Sequence, residues 1–143
     1  MLSLGCKASI KAVIFLSTRF DSAEKPGIME IAEFIDENEH TVGKLLQKLV
    51  KEGNINSSKG PGGGFYLTAE QNRQPLMNII ETIDGGSLFK QCGLGLMKCS
   101  DTHPCPIHND YKIIRDLFEN LCRMKTVHEL HKSIDKGLTH LIA

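Results

Sequence analysis

Apolar positions in this chain recur mostly with a helical period, and only two short stretches favour strands. Residues 6–20 carry Ile10, Val13, Ile14 and Leu16 on one face, and Asp21-Ser22 ends that run. Pro26-Gly27 marks a turn. From Ile28 to Ile35, the residues Ile28, Ile31, Ala32 and Ile35 share one side of a short helix. Asn38 stands as the N-cap of a helix over 39–52 with an inner stripe of Val42, Leu45, Leu46, Leu49 and Val50. Gly53 falls where a left-handed C-terminal glycine belongs.

Two extended segments over 55–59 and 65–68 flank Gly60-Pro61-Gly62-Gly63-Gly64, which predicts a hairpin with a glycine-rich tip. Pro75 opens another helix, which ends near Asp84-Gly85-Gly86 and turns Ile79, Ile80 and Ile83 inward. Residues 87–108 show no period. A long amphipathic helix over 109–125 follows, with Tyr111, Ile114, Leu117, Phe118 and Leu121 as its stripe. Thr126 and Glu129 form a capping box for a last helix. The expected fold class is mainly α with a small β-hairpin wing, in the order of a winged helix-turn-helix.

Charge narrows the function. The 143 residues suit a single domain, and 17 basic residues balance 17 acidic ones. Such a chain cannot hold nucleic acid by bulk charge, so any DNA contact must come from a local patch. Between Lys44 and Arg73 there are five basic residues against two acidic ones. Within the second helix of a helix-turn-helix, Glu39, His40, Thr41 and Lys44 lie at the end that enters the major groove, and 40, 41 and 44 lie opposite the apolar stripe. Lys48 and Lys51 lie further along, within reach of the backbone only. Ser57, Ser58 and Lys59 lead into the glycine-rich tip. A phosphate loop is disfavoured there, because no Lys-Ser/Thr follows Gly64 and the glycines sit between strands. A flexible hairpin tip and a solvated lysine face remain the plain alternatives.

No apolar run approaches the ~20 residues of a membrane span, and no leader pattern opens the chain. A cytoplasmic protein with reduced thiols is expected. Three of its five cysteines, Cys92, Cys99 and Cys105, fall within fourteen residues, and His108 follows. Gly93, Gly95, Pro104 and Pro106 would let this loop wrap around a bound group. Thiolates with a histidine suit an iron–sulfur cluster. The spacing also admits zinc on the same four residues, or thiols that oxidise to disulfides. An enzyme using Cys105 as nucleophile and His108 as base is a remote alternative, since no third orienting group is legible. Cys6 and Cys122 read as packing residues, and His128, His131 and His140 as solvated ones.

A resemblance adds to this reading. The run from Ile31-Ala32-Glu33 through residues 45–53 (LLQKLVKEG) to residues 58–67 (SKGPGGGFYL) resembles the Rrf2 family of bacterial winged-helix transcription regulators. The likeness extends from Leu2-Ser3 to about Ile134. It implies a homodimer on a double-stranded DNA operator, with two recognition helices about one turn of DNA apart. DNA contacts would fall on His40, Thr41 and Lys44 of the helix, and on Lys59, Gly62, Gly63 and Gly64 of the wing. Cluster-binding members have three cysteines in this region, and some have a histidine placed like His108. The resemblance thus implies Cys92, Cys99, Cys105 and His108 as ligands of a 2Fe-2S or 4Fe-4S cluster, of a kind readily lost in air. His103 is the weaker choice of fourth ligand. Nitric-oxide-sensing members use an acidic residue near the N-terminus of the partner subunit, and Lys7 at the matching place speaks against that arrangement. Cluster-assembly regulators carry glutamate where Gly43 stands here, so operator preference does not carry over. Cysteine-metabolism repressors of the family act through a partner protein and lack the triad. The implied organisation is a DNA-binding unit over 1–85, a sensor loop over 86–108, and a dimerisation helix with a C-terminal helix over 109–143.

Overall fold

The computed structural model describes residues 1–142. Its first helix, α1 (Leu4–Thr18), is the hub of the core. It starts two residues earlier than the apolar pattern suggests, because the Ser3 hydroxyl accepts the Cys6 N–H at 3.0 Å. Ser3 is itself tied to Asp84 through its backbone N–H at 2.9 Å. The helix ends at Thr18, where the Arg19 N–H bonds back to Leu16. Most of α1 is buried, including Cys6, Ala8, Ser9, Val13, Phe15, Leu16 and Ser17. A helix this largely apolar must be covered on most of its sides, and the elements that follow cover α1 except along Leu4 and Lys7.

Helix α2 (Ile28–Ile35) buries Ile31, Ala32 and Ile35 and ends in left-handed Asp36. Helix α3 (Glu39–Lys51) is capped by Asn38, whose side chain accepts the N–H groups of His40 and Thr41. Val42, Leu46 and Leu49 fix its inner face. The hairpin is shorter than expected: β1 (Asn56–Ser58) pairs antiparallel with β2 (Gly64–Tyr66), with Ser57 opposite Phe65. Ile55 and Leu67, expected in the strands, instead anchor the hairpin's base in the core.

Thr68 ends the expected strand early. It caps a short helix, α4 (Ala69–Asn72), through a capping box with Gln71. Helix α5 (Leu76–Ile83) begins after Pro75 and buries Leu76, Met77, Ile79 and Ile80. One 3₁₀ turn over Gly86–Phe89 precedes an irregular loop. Helix α6 (His108–Met124) then runs seventeen residues, and α7 (Val127–Asp135) follows from the Thr126–Glu129 capping box. The Leu76 N–H donates to Lys125 and the Val127 N–H to Gln74, at 2.9 and 3.0 Å, which pins the starts of α5 and α7 together. Helix α7 packs against α1, so the chain's end closes the core that its beginning opens.

His131 is not solvated, contrary to expectation. It is 7% exposed and faces α1, where its Nδ1 lies 3.1 Å from the Ser17 hydroxyl. Ser17 also donates to Asn72, whose amide reaches His128 at 3.2 Å. A polar residue on the buried side of α1 supplies a partner that periodicity in α7 alone cannot reveal. His140 is exposed, as expected.

Candidate functional site

The exposed end of α3 carries His40, Thr41 and Lys44, all solvent-facing. The Asn38 cap fixes where this end begins. The wing is set by a contact that the sequence does not announce. The Phe65 N–H donates to the Pro26 carbonyl at 2.9 Å, and Lys25 reaches the Ser58 hydroxyl at 3.3 Å. The Lys25 ammonium also lies 4.6 Å from the centre of the Tyr66 ring, a cation–π contact. Pro26 and Lys25 belong to the loop before α2, so the wing is braced against the same loop that launches the helix-turn-helix.

This brace explains one wing glycine, and the hairpin's own tight turn explains another. A Cβ on Gly64 would lie 2.1 Å from the Lys25 carbonyl oxygen, and φ there is +156°. A Cβ on Gly63 would lie 2.4 Å from the Ser58 carbonyl. Both positions need glycine for the protein's own packing, before any contact with DNA. Lys59 and Gly62 are exposed at the tip.

The cysteine loop lies against the first turns of α6. A Cβ on Gly93 would sit 2.8 Å from the Tyr111 ring, so glycine lets the loop pass close to the helix. Cys92 is buried, and its sulfur accepts the Leu94 N–H at 3.4 Å. The amides of Leu94, then Leu96, hold this thiol below the ordinary cysteine range, aided by Cys105 beside it. Cys105 is buried, and its carbonyl accepts the His108 N–H at 3.0 Å as α6 begins.

Cys99 is held from two sides. Arg115 Nη1 donates to its sulfur at 3.3 Å, and His108 Nδ1 lies 3.3 Å away. On its other edge, His108 Nε2 meets Asp101 Oδ1 at 2.9 Å, and Lys112 meets the same oxygen at 3.0 Å. A carboxylate only accepts, so Nε2 carries a proton toward Asp101, which fixes the ring with its Nδ1 edge toward the sulfur. These bonds, His108 first and then Lys112, push Asp101 below the usual carboxylate range. Arg115 Nη1 also donates to the Gln91 carbonyl at 2.7 Å.

The four expected ligands therefore stand as two pairs, Cys92 with Cys105 and Cys99 with His108. Among the described residues, no three of His, Cys, Asp and Glu already converge on one point. His103 is exposed and its N–H turns back to Ser100. The imidazole of His108 meets Cys99 rather than Cys105, so the nucleophile–base pair considered from sequence is not assembled.

Cys6 and Cys122 are buried as expected. Burial, then Asp84, pushes the Cys6 thiol up to about 12, and burial also raises Cys122. Sequence reasoning passed over Asp101, Lys112 and Arg115. The last two were legible, since 108, 112 and 115 follow helical spacing and share a face with His108. Asp101 lies in an aperiodic loop and gave no signal. A cleft of about 940 Å³ between α3, α4 and α5 holds none of this chemistry. Within it, Gln71 bonds Gly53 and Asn56, and Gln74 bonds Asn54.

One face of α6 is bare. Ile113, Ile114, Leu117, Leu121 and Met124 are all exposed, Leu117 at 65%. Leu94, Leu96 and Met97 of the cysteine loop add to the exposed apolar surface. No helix among the described residues is long and apolar enough to cross a membrane.

Comparison with known proteins agrees with this architecture. The family profile described as Rrf2, iron-dependent transcriptional regulator, matches residues 2–133. A protein of Aquifex aeolicus named for an HTH-type transcriptional regulator is 27% identical over 129 residues, 89% of this chain and 88% of its own. Among solved structures, CymR, the global cysteine regulator of B. subtilis, superposes with a TM-score of 0.76 at 18% identity. That match covers 92% of this chain and 96% of CymR. The T. potens IscR structure superposes with a TM-score of 0.74 at 20% identity, covering 98% of this chain and 92% of its own.

Proposed function

This chain belongs to the Rrf2 family, whose members are transcriptional regulators rather than enzymes, and from that premise we propose that it is a homodimeric regulator whose DNA binding responds to an iron–sulfur cluster in the cysteine loop. In this reading, residues 1–85 form the DNA-binding unit, 86–108 the sensor loop, and 109–143 the dimerisation and closing helices. His40, Thr41 and Lys44 of α3 face base edges and phosphates in the major groove. Lys59 and Gly62 to Gly64 bring the wing to the flanking backbone, with Lys25 and Pro26 holding it at a fixed angle. The bare face of α6 meets the same face of a second copy, which would place two recognition helices on a palindromic operator.

The observation that carries the cluster reading is the dressing of the thiols. Cys92 lies under backbone amides, and Cys99 receives a buried guanidinium and a histidine oriented by Asp101. Amides and cations directed at sulfur are what cluster thiolates need, and the carboxylate–histidine pairing is the usual second shell of a metal-ligating imidazole. Cys92, Cys99, Cys105 and His108 would hold the cluster. Two pairs must draw together to do so, which the glycines and prolines of the loop allow. A bound cluster supplies one-electron redox chemistry and sensitivity to oxygen or nitric oxide. The protein's part is to place that cluster against α6, so that its gain or loss alters the helix joining the two copies.

The test is the visible absorption spectrum of protein purified without oxygen, with iron and acid-labile sulfide assayed on the same sample. The expected result is a brown protein, bleached by replacing Cys92, Cys99 or Cys105, with different affinity for a selected DNA duplex before and after cluster removal. Colourless protein without iron after anaerobic reconstitution would overturn the cluster reading and leave the family assignment standing. A second reading is favoured by one observation, the lowered Cys92 thiol beside Cys105. A Cys92–Cys105 disulfide formed under mild oxidation, in iron-free protein with altered DNA affinity, would establish it.

A further inference from the structure

Arg115 is a buried cation without a buried anion. Its side chain is 10% exposed, and its nearest carboxylate, Asp116, lies 4.0 Å from Nε and is itself 55% exposed. Nε is buried and has no hydrogen-bond partner among the described residues. Nη1 is spent on the neutral Gln91 carbonyl and on the Cys99 sulfur. Burying a guanidinium this far is costly unless an opposite charge sits beside it. The donor it directs inward meets the Cys99 sulfur at 3.3 Å, an atom that becomes anionic once it ligates a metal. The same side chain spans the loop's entrance at Gln91, its middle at Cys99, and the helix α6 on which it stands.

We propose that Arg115 is the positioning residue of the cysteine loop, balancing the negative charge of the Cys99 thiolate and its cluster and fixing that sulfur against α6. The inference rests on the cluster reading above. A neighbouring cation and an N–H donor at the ligand sulfur favour the reduced, more negative cluster, so they raise its potential. They also retain the ligand once it has bound metal.

Arg115→Gln keeps a donor and much of the shape but loses the charge, and Arg115→Lys keeps the charge without the planar fork. Three measurements on anaerobically reconstituted protein read the difference. These are iron and sulfide per chain, the reduction potential, and the rate of iron loss to a chelator. Urea unfolding of the metal-free proteins checks that each variant folds. Arg115→Gln is expected to show a lower potential and iron loss roughly tenfold to a hundredfold faster than wild type. Arg115→Lys is expected to recover the potential but only part of the retention. A Gln variant with wild-type potential and wild-type iron loss overturns the proposal, as does a Lys variant whose potential falls as low as the Gln variant's. If Arg115→Gln does not fold, the Lys variant alone decides by the same criterion. Wild-type protein that takes up no iron and sulfide overturns the cluster reading itself, a failure distinct from that of the arginine.

Discussion

At the scale of single residues, three positions show how a side chain's meaning depends on what faces it. Gly64 stands where any side chain would enter the Lys25 carbonyl, so Gly64→Ala is expected to displace the wing. Lower thermal stability and weaker DNA binding, by calorimetry and fluorescence anisotropy, would check this; an unchanged protein would contradict the brace. Gly43 is the opposite case. It lies within α3, and a Cβ there would meet Ile28 at an ordinary 3.5 Å. Helix interiors favour alanine over glycine by about 1 kcal/mol, so Gly43→Ala is expected to raise unfolding free energy by roughly 0.5–1 kcal/mol. Urea unfolding would show it. Lys44 is exposed near the start of α3, the end proposed to enter the major groove. Lys44→Ala should weaken binding across DNA sequences and reduce the slope of log affinity against log salt by about one. An unchanged slope would remove Lys44 from the phosphate contacts.

At the scale of elements, caps set the boundaries and unpaired faces set the partners. Asn38 and the Thr126–Glu129 box were readable because caps are local, within three residues of what they satisfy. The Thr68–Gln71 box was equally local and was passed over in favour of a longer strand. The stripe of α6 was readable as apolar, but not as bare. Phe118 packs on the core, whereas Ile114, Leu117 and Leu121 do not. Surface of this kind on a monomer marks an interaction site. Leu117→Asp is expected to shift the protein from dimer to monomer in sedimentation velocity, with a parallel loss of DNA affinity. A variant that sediments like wild type would take α6 out of the interface.

At the scale of the whole molecule, one core joins the chain's two ends, and its burial has a consequence in alkali. Cys6 has an unfolded thiol value near 9.0 and a folded one of about 12. The folded state therefore holds its proton through a window in which the unfolded state releases it. The stability this contributes is fully present below pH 9 and is lost as pH rises toward 12. The loss is at most about 1.4 kcal/mol per pH unit within that window. Cys6→Ala lacks the thiol, so the gap in unfolding free energy between wild type and variant should narrow from pH 9 to 10.5. A gap independent of pH would mean that Cys6 is not held from solvent. Asp101 and Glu129 act at the other end: lowered in the folded state, they favour folding above the carboxylate range, and this is lost as pH falls through their folded values.

The sequence by itself determined the order of the longer helices, the Asn38 and Thr126 caps, the hairpin with its glycine tip, and the close spacing of three thiols and His108 along the chain. Each of these is written in periodicity or in neighbours a few residues apart, which is the range over which a chain dictates its own backbone. Tertiary structure alone decided the rest. It buried His131 on α1, since the partner hydroxyl lies 114 residues away. It spent the wing glycine Gly64 on the loop before α2, and it placed Asp101 behind His108. It also set an arginine of α6 on the sulfur of Cys99, sixteen residues back along the chain. Such pairings depend on which faces meet when the core closes, and the free energy of that closure belongs to no single segment.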